Sequence, residues 1–171
     1  SGNAQGSLTF FKNSNQTQHI DYNISSLQDG QWHHFVFVKS GTSIDVYIDN
    51  VLVGTVTNVP TGILFDQLNG ASSVSNRSKF ANHISDVAYW DIVLDSCEIK
   101  NIYQLSNKLS EATINNLEES RLATLYGNAS INNDGALVLD GNGDYATYDG
   151  EFRWTDQYSI SVWFKSQGSA T

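Results

Sequence analysis

The chain has 171 residues, and its 40% hydrophobic content predicts a folded globular protein with a core of its own. Its formal net charge of −9 provides no basic face, which argues against nucleic acid and against an anionic membrane surface as partners. One cysteine, Cys97, excludes an internal disulfide and a multi-cysteine zinc site, so a small buried side chain is its expected role.

In chain order, alternating apolar and polar residues between Gly, Asn, Asp and Ser clusters predict a series of short strands. The predicted strands are 8–12, 19–24, 31–38, 44–48, 51–56, 83–95, 136–139, 145–148 and 159–165. A tight turn is expected at Asp49–Asn50, because Asx residues tolerate a left-handed backbone. The polar stretches 66–82 and 128–135 are predicted as loops. This pattern favours an all-β, antiparallel sandwich.

Two stretches have helical patterns. Residues 95–105 are predicted as a short helix that Asp95 or Ser96 caps, with Glu98 in its first turn. Residues 106–127 are predicted as one or two helices that bridge two β segments. The apolar residues at helical spacing in this bridge are Ile114, Leu117, Leu122 and Leu125.

The chain has no apolar run long enough for a membrane-spanning helix, so membrane insertion is not expected. It starts with the polar stretch SGNAQGS and contains no Met. This start predicts a processed or excised part of a longer protein.

Trp32, His33 and His34 pose the first question about a site. Adjacent residues on a strand point to opposite faces, so His33 and His34 cannot chelate one metal ion together. We expect both histidines to be packed and hydrogen-bonded, and Trp32 to be a core anchor.

Three stretches resemble the C-terminal half of a laminin-G-like, concanavalin A-like jelly-roll domain. DGQWHHFVFV is similar to the family's D-G-x-W-H-H strand, and IDVYIDNVLVG to its Y-x-D-G hairpin, with Asn50 where glycine is usual. ISDVAYWDIVLDSCEIKNIY is similar to its ending. The three motifs occur in the family's order over about seventy residues.

The end of the chain resembles the beginning of the same fold. ALVLDGNGDYATYDG followed by YSISVWFK is similar to the family's opening strands. The resemblance therefore implies a C-terminal half at 1–105, a helical bridge and loop at 106–134 and an N-terminal half at 135–171. The two halves form either one permuted or strand-sharing domain, or parts of two tandem domains.

DGNGDYATYDG is the candidate cation site. Asp140, Asn142 and Asp144 supply hard oxygen ligands at alternate positions, which suits Ca²⁺. An EF-hand is not expected, because the sequence predicts no helices on either side of this loop. Turn chemistry explains the same residues, so calcium and a purely structural turn are both open.

Aromatic and amide side chains of the loops are candidates for sugar binding, because sugars stack on aromatic faces and hydrogen-bond to amides. The candidate residues are Asn69, Asn76, Asn82, Tyr89, Tyr145 and Tyr148.

No catalytic motif is recognisable, and a glycoside hydrolase would need two close carboxylates on a strand, as in E-x-D-x-E. The glutamates considered for this role lie in helical sequence; they are Glu98, Glu111, Glu118 and Glu119.

We therefore expect a non-catalytic laminin-G-like module for adhesion or carbohydrate recognition on a virion or cell surface, with a phage capsid-decorating or fibre protein favoured. Its expected partners are a surface glycan and neighbouring copies of the protein. A strand-sharing assembly protein and a glycoside hydrolase are the alternatives.

Overall fold

A computed structural model describes residues 8–13, 16–20, 24–59, 67–68, 81–109, 123–148 and 156–166. The strands are β1 Leu8–Asn13, β2 Gln16–Ile20, β3 Trp32–Ser40, β4 Ser43–Ile48, β5 Val51–Val56, β6 Gln67–Leu68, β7 Ala81–Trp90, β8 Ala123–Tyr126, β9 Ser130–Ile131, β10 Leu137–Asp140, β11 Tyr145–Tyr148 and β12 Gln157–Ser166. A 3-10 helix covers Ile24–Leu27, and the α-helix α1 covers Ser96–Leu109. The predicted all-β antiparallel sandwich is confirmed.

The strands form two sheets and a hairpin. The larger sheet has seven strands in the order β5-β4-β3-β12-β7-β10-β9, the smaller has three in the order β6-β11-β8, and β1 pairs with β2. Strand β12 pairs with β3 from Gln157 opposite Ser40 to Lys165 opposite Trp32, and its other edge pairs with β7. A strand near the end of the sequence thus fills the centre of the larger sheet.

The two faces of the larger sheet have different covers. On the helix face, Val36 and Val38 of β3 pack against Leu94 and against Ile99 of α1. On the sandwich face, a second cluster joins the two sheets. It consists of Ile84, Leu137, Leu139 and Ala146, with Leu125 packed against it. Burial of these apolar side chains from water is the main force that holds the layers together.

The β4–β5 hairpin turns where the sequence predicts. Asp49 and Asn50 both have left-handed backbones, with φ of 48° and 65°, and Ile48 pairs with Val51 directly across the turn. Such a two-residue turn matches the right-handed twist of its strands. Asn50 takes the left-handed position more readily than most side chains do, which explains how it replaces glycine.

Helix α1 begins with a capping box. Asp95 Oδ1 accepts hydrogen bonds from the backbone N–H groups of Cys97 and Glu98, each at 2.8 Å, and Glu98 Oε2 accepts one from the Asp95 N–H at 2.7 Å. The prediction of a buried Cys97 is wrong: its side chain is exposed. The reason is that Ile99, two positions further on, is the residue of this turn that faces the sheet.

The region predicted as a helical bridge differs in its details. Helix α1 continues beyond residue 105 to Leu109, and Ala123–Tyr126 is a strand rather than a helix. This strand pairs with β11, and Leu125 turns toward the core, so non-local pairing outweighs the local helical spacing. Residues 110–122 lie outside the described part of the chain.

No helix in the described part is long and apolar enough to cross a membrane.

Candidate functional site

Two tyrosines stack on the outer face of the smaller sheet. Tyr126 of β8 pairs with Tyr145 of β11, and their ring centroids lie 4.5 Å apart with an angle of 6° between the planes. Thr124 and Thr147, two positions along each strand, pair in the same way and share this outer face. We call these four residues the tyrosine face. Tyr126 is 41% exposed, so this stack presents aromatic surface to solvent.

The tyrosine face rests on a packed support. Leu125 and Ala146 lie between its members along the two strands and point the other way, into the core between the sheets. Ala146 is almost fully buried. Because the neighbours on both strands are held in the core, the two rings sit on a rigid part of the sheet.

Two turns meet at the end of this face, and one buried carboxylate joins them. Asp144 is fully buried, its Oδ1 accepts the backbone N–H of Asn128 and its Oδ2 accepts that of Asp140, both at 2.6 Å. Gly127 directly precedes Asn128 and has a φ of +71°. Asp144 thus fixes the turn after Tyr126 to the turn before Tyr145.

Asp140 completes this arrangement from the exposed side. Its Oδ2 accepts the side-chain amide of Asn128 at 3.1 Å, and its Oδ1 accepts the backbone N–H of Asn142 at 2.7 Å. These two hydrogen bonds hold the pKa of Asp140 below its usual value, so its carboxylate is ionised at neutral pH.

The three residues predicted as calcium ligands come together in this turn but do not form an open ligand set. Both carboxylate oxygens of Asp144 are buried and already accept backbone N–H groups. Among the described residues, no group of three or more acidic, histidine or cysteine side chains is placed to hold a metal ion. The hydrogen bonds of Asp140 and Asp144 are those of an Asx-stabilised turn, which favours the structural alternative.

The other predicted sugar-binding residues do not join the tyrosine face in the described part of the structure. Tyr89 lies on the larger sheet, where its ring stacks on buried Tyr158 with centroids 6.0 Å apart, and burial raises the pKa of its hydroxyl. Asn82 and Tyr148 are in β7 and β11, but their side chains are outside the described part of the structure, as are Asn69 and Asn76 altogether. Of the residues predicted to bind a sugar, Tyr145 is the one that the described structure places in the tyrosine face.

His33 links two distant turns. Its Nδ1 lies 2.8 Å from Asp49 Oδ2, and its Nε2 lies 3.1 Å from Asp29 Oδ1. Burial opposes protonation of His33, but the two carboxylates outweigh it and raise the pKa of His33 above its usual value. When it is protonated, the ring donates to both carboxylates, and it ties the segment before β3 to the β4–β5 turn.

His34 points to the opposite face, as the alternation predicts. It is fully buried under α1, its Nε2 lies 2.6 Å from the Ser161 hydroxyl, and its ring stacks on Trp163 with centroids 4.9 Å apart. Burial lowers the pKa of His34 to about 4, against the weaker opposite influence of Asp49 and Asp86. Both histidines are hydrogen-bonded, and neither shares a metal site with the other.

Trp32 does not have the role predicted for it. Its side chain is 38% exposed, so it is not a core anchor. The alternation puts it on the helix face with His34, but α1 covers the sheet further along, where Val36 and Val38 lie.

Comparison with known families decides how the chain is classified. The model of a family described as the concanavalin A-like lectin/glucanases superfamily matches residues 2–100, more than half of the chain. The chain belongs to this superfamily. Searches against curated proteins and against solved structures gave no match.

Membership of the concanavalin A-like superfamily supports a carbohydrate-binding or adhesion-type module. The matched region ends in α1, before β8 to β12, so the tyrosine face and the central strand β12 lie beyond it. Tyr126 was missed in the sequence because the residues before it have helical spacing. The Gly127–Asn128 pair that follows it was an available sign of a strand end.

Proposed function

We propose that this chain is a non-catalytic carbohydrate-binding adhesion module that holds a saccharide on the tyrosine face. The observation that carries the proposal is the exposed parallel stack of Tyr126 and Tyr145. Sugar rings present apolar C–H surfaces that pack on aromatic faces, while hydroxyl groups at the rim supply hydrogen bonds. The tyrosine hydroxyls, Thr124 and Thr147 provide such groups.

The support under the tyrosine face favours binding at low entropic cost. The core packing of Leu125 and Ala146 and the Asp144 hydrogen bonds hold the strands and turns in place before a ligand arrives. A preorganised surface loses less conformational freedom on binding than a flexible one. The ionised Asp140 at the end of the face disfavours an acidic sugar there, so a neutral saccharide is the expected ligand of the tyrosine face.

The test is a glycan array with the full chain, followed by calorimetric titration of the neutral glycan that binds best. Tyr126→Ala removes the exposed ring and should weaken binding by about tenfold or more, as truncation of a central aromatic contact does. Tyr126→Phe keeps the stack and should lose much less. An array without any bound glycan, or an unchanged dissociation constant for Tyr126→Ala, would contradict the proposal.

Leu105→Ala serves as the matched control. Leu105 is an exposed apolar residue of α1, on the other side of the larger sheet, and its truncation should leave glycan affinity unchanged. The melting temperature of each variant shows whether the fold is intact, since the Tyr126 ring lies outside the core.

Asp144 and His34 are titratable groups with structural tasks, which supports a non-catalytic role over a glycoside hydrolase. A hydrolase of this kind needs two carboxylates on either side of the scissile bond. The Asp144 carboxylate binds two backbone N–H groups, and His34 is packed under α1 as a neutral ring. A surface glycan is the expected partner, and the outside of a virion or of a cell is the expected location.

We also propose that segments 1–105 and 135–171 close into one permuted domain. The position of β12 between β3 and β7 supports this, because a sheet without its central strand would leave the edges of both neighbours unpaired. Light scattering of the purified chain should then give a monomer, and the monomer should melt in one cooperative transition. Stable oligomers, or the lack of a cooperative transition, would instead favour strand sharing between copies.

The same melting experiment tests the calcium alternative. A cation that binds the folded chain specifically raises its melting temperature. Because the Asp144 oxygens already accept backbone N–H groups, we expect equal melting temperatures in calcium and in EDTA. A rise in calcium that is lost in Asp140→Asn would show that the turn is a metal site.

A further inference from the structure

A row of three unusual side chains crosses the helix face of the larger sheet. Lys165 of β12 lies opposite Trp32 of β3 on one side and opposite His83 of β7 on the other. The rings of Trp32 and His83 meet edge-on across the strand between them, with centroids 6.4 Å apart. We call these three residues the Trp32 row.

Three buried polar atoms without hydrogen-bond partners lie in the Trp32 row and in the neighbouring row, which contains His34 and Trp163. His83 Nδ1, Trp163 Nε1 and His34 Nδ1 are buried and have no hydrogen-bond partner in the described part of the chain. They come from three adjacent strands and lie on the same face. Buried polar atoms are nearly always hydrogen-bonded, so these three mark an unusually polar stretch of the helix face.

The charge of the Trp32 row selects the kind of molecule. In the described part of the structure, the ion pairs are those of His33 with Asp29 and Asp49. Lys165 therefore has no acidic side chain as an ion-pair partner there. Asp86 is the nearby acid on β7, and its carboxylate accepts the Ser85 hydroxyl. The Trp32 row itself contains Lys165 and no acidic side chain, which favours an anionic group.

We propose that the Trp32 row is a second saccharide site and that it binds a carboxylate-bearing sugar. The exposed indole of Trp32 provides the stacking surface, and Lys165 on the opposite strand pairs with the carboxylate. This second site rests on the proposed carbohydrate-binding function. It is separate from the tyrosine face, because the smaller sheet covers one side of the larger sheet and the Trp32 row lies on the other side. It also explains why Trp32 is exposed rather than a core residue.

The test is calorimetric titration of the full chain with trigalacturonic acid and with its methyl ester, which is the same sugar without charge. The acid should bind and the ester should bind about tenfold more weakly or worse, because it cannot pair with Lys165. Lys165→Gln should reduce acid binding to the level of the ester. Trp32→Ala should weaken both ligands, since it removes the stacking surface.

Two control variants show whether the acid binds at the Trp32 row or elsewhere on the chain. Lys100→Gln removes an exposed charge from α1 and should leave both affinities unchanged. Tyr126→Ala should bind trigalacturonic acid as the unmodified chain does. The inference is overturned if the acid does not bind, if acid and ester bind equally, or if Lys165→Gln has no effect. If Tyr126→Ala lost acid binding while Lys165→Gln and Trp32→Ala kept it, the acid would bind on the tyrosine face. The second site would then be overturned, and the proposed carbohydrate-binding function would stand.

Discussion

Replacing Asp144 with alanine should lower the free energy of unfolding by about 4 kcal/mol, since two partly buried backbone donors would each lose their acceptor at about 1–3 kcal/mol apiece. These donors are the N–H groups of Asn128 and Asp140, which the two carboxylate oxygens accept at 2.6 Å. Water cannot replace the carboxylate easily, because Asp144 is fully buried. Urea unfolding with linear extrapolation measures the loss.

Asp140→Ala is the matched control for Asp144→Ala. It removes a carboxylate from the same turn, but this one is exposed and its partners Asn128 and Asn142 remain accessible to water. The cost should be about 1 kcal/mol or less. If Asp140→Ala destabilised the chain as much as Asp144→Ala, the buried hydrogen bonds would not be the reason for the loss.

Gly127→Ala tests the same junction from the other side. A Cβ at this position would lie 2.5 Å from Asp144 Oδ1, and the left-handed φ adds strain for any side chain. Gly135 has a similar φ of +79°, but a Cβ there would meet nothing within 4 Å. Gly127→Ala should therefore destabilise the chain clearly more than Gly135→Ala, and equal losses would contradict the close contact.

His34 should make the protein less stable in acid. The pKa of His34 falls from 6.5 to about 4 on folding, so between these pH values the unfolded chain binds a proton that the folded chain does not. The free energy of unfolding must then decrease as the pH falls through this window, by about 3 kcal/mol in total. Replacement of His34 by glutamine removes the titrating group, and this part of the pH dependence should disappear.

The neighbouring His33 should act in the opposite direction. Its pKa is raised in the folded state, so its contribution is fully present below the usual histidine pKa and is lost as the pH rises through the raised value. Asp29, whose pKa is lowered by its hydrogen bonds to Gln31 and His33, loses its contribution only in strong acid. His33→Gln should therefore flatten the neutral-to-alkaline side of the profile.

Urea unfolding from pH 4 to pH 8 distinguishes the two histidines. The expected result is a loss of the acid-side slope in His34→Gln and of the alkaline-side slope in His33→Gln. The shape of each profile is compared with that of the unmodified chain, so a uniform loss of stability in a variant does not obscure the result. Identical profiles for both variants would contradict the opposite environments of the two rings.

Local sequence signals were sufficient for the β3–β4–β5 region. Its alternation is regular, and the Asx turn at Asp49–Asn50 fixes the register of the hairpin. The same alternation separates His33 from His34. These features depend on neighbours in sequence, so a single sequence contains the information needed to predict them.

Other features depend on contacts between distant residues, and the sequence did not predict them. Leu122 and Leu125 have helical spacing, yet Ala123–Tyr126 becomes a strand because β11 is available as its partner. Without that strand, the pairing of Tyr126 with Tyr145 could not be foreseen. The exposure of Trp32 and of Cys97 likewise depends on which part of the sheet α1 covers.

The most direct test of a saccharide site on the tyrosine face is an NMR titration of the full chain with the neutral glycan that the array identifies, observed through the aromatic ¹H–¹³C resonances. The proposed function predicts that the resonances of Tyr126 and Tyr145 shift first and most, and that the shifts of Tyr145 disappear in Tyr126→Ala. The proposed site would be contradicted if the resonances of both tyrosines stayed in place while other aromatic resonances shifted.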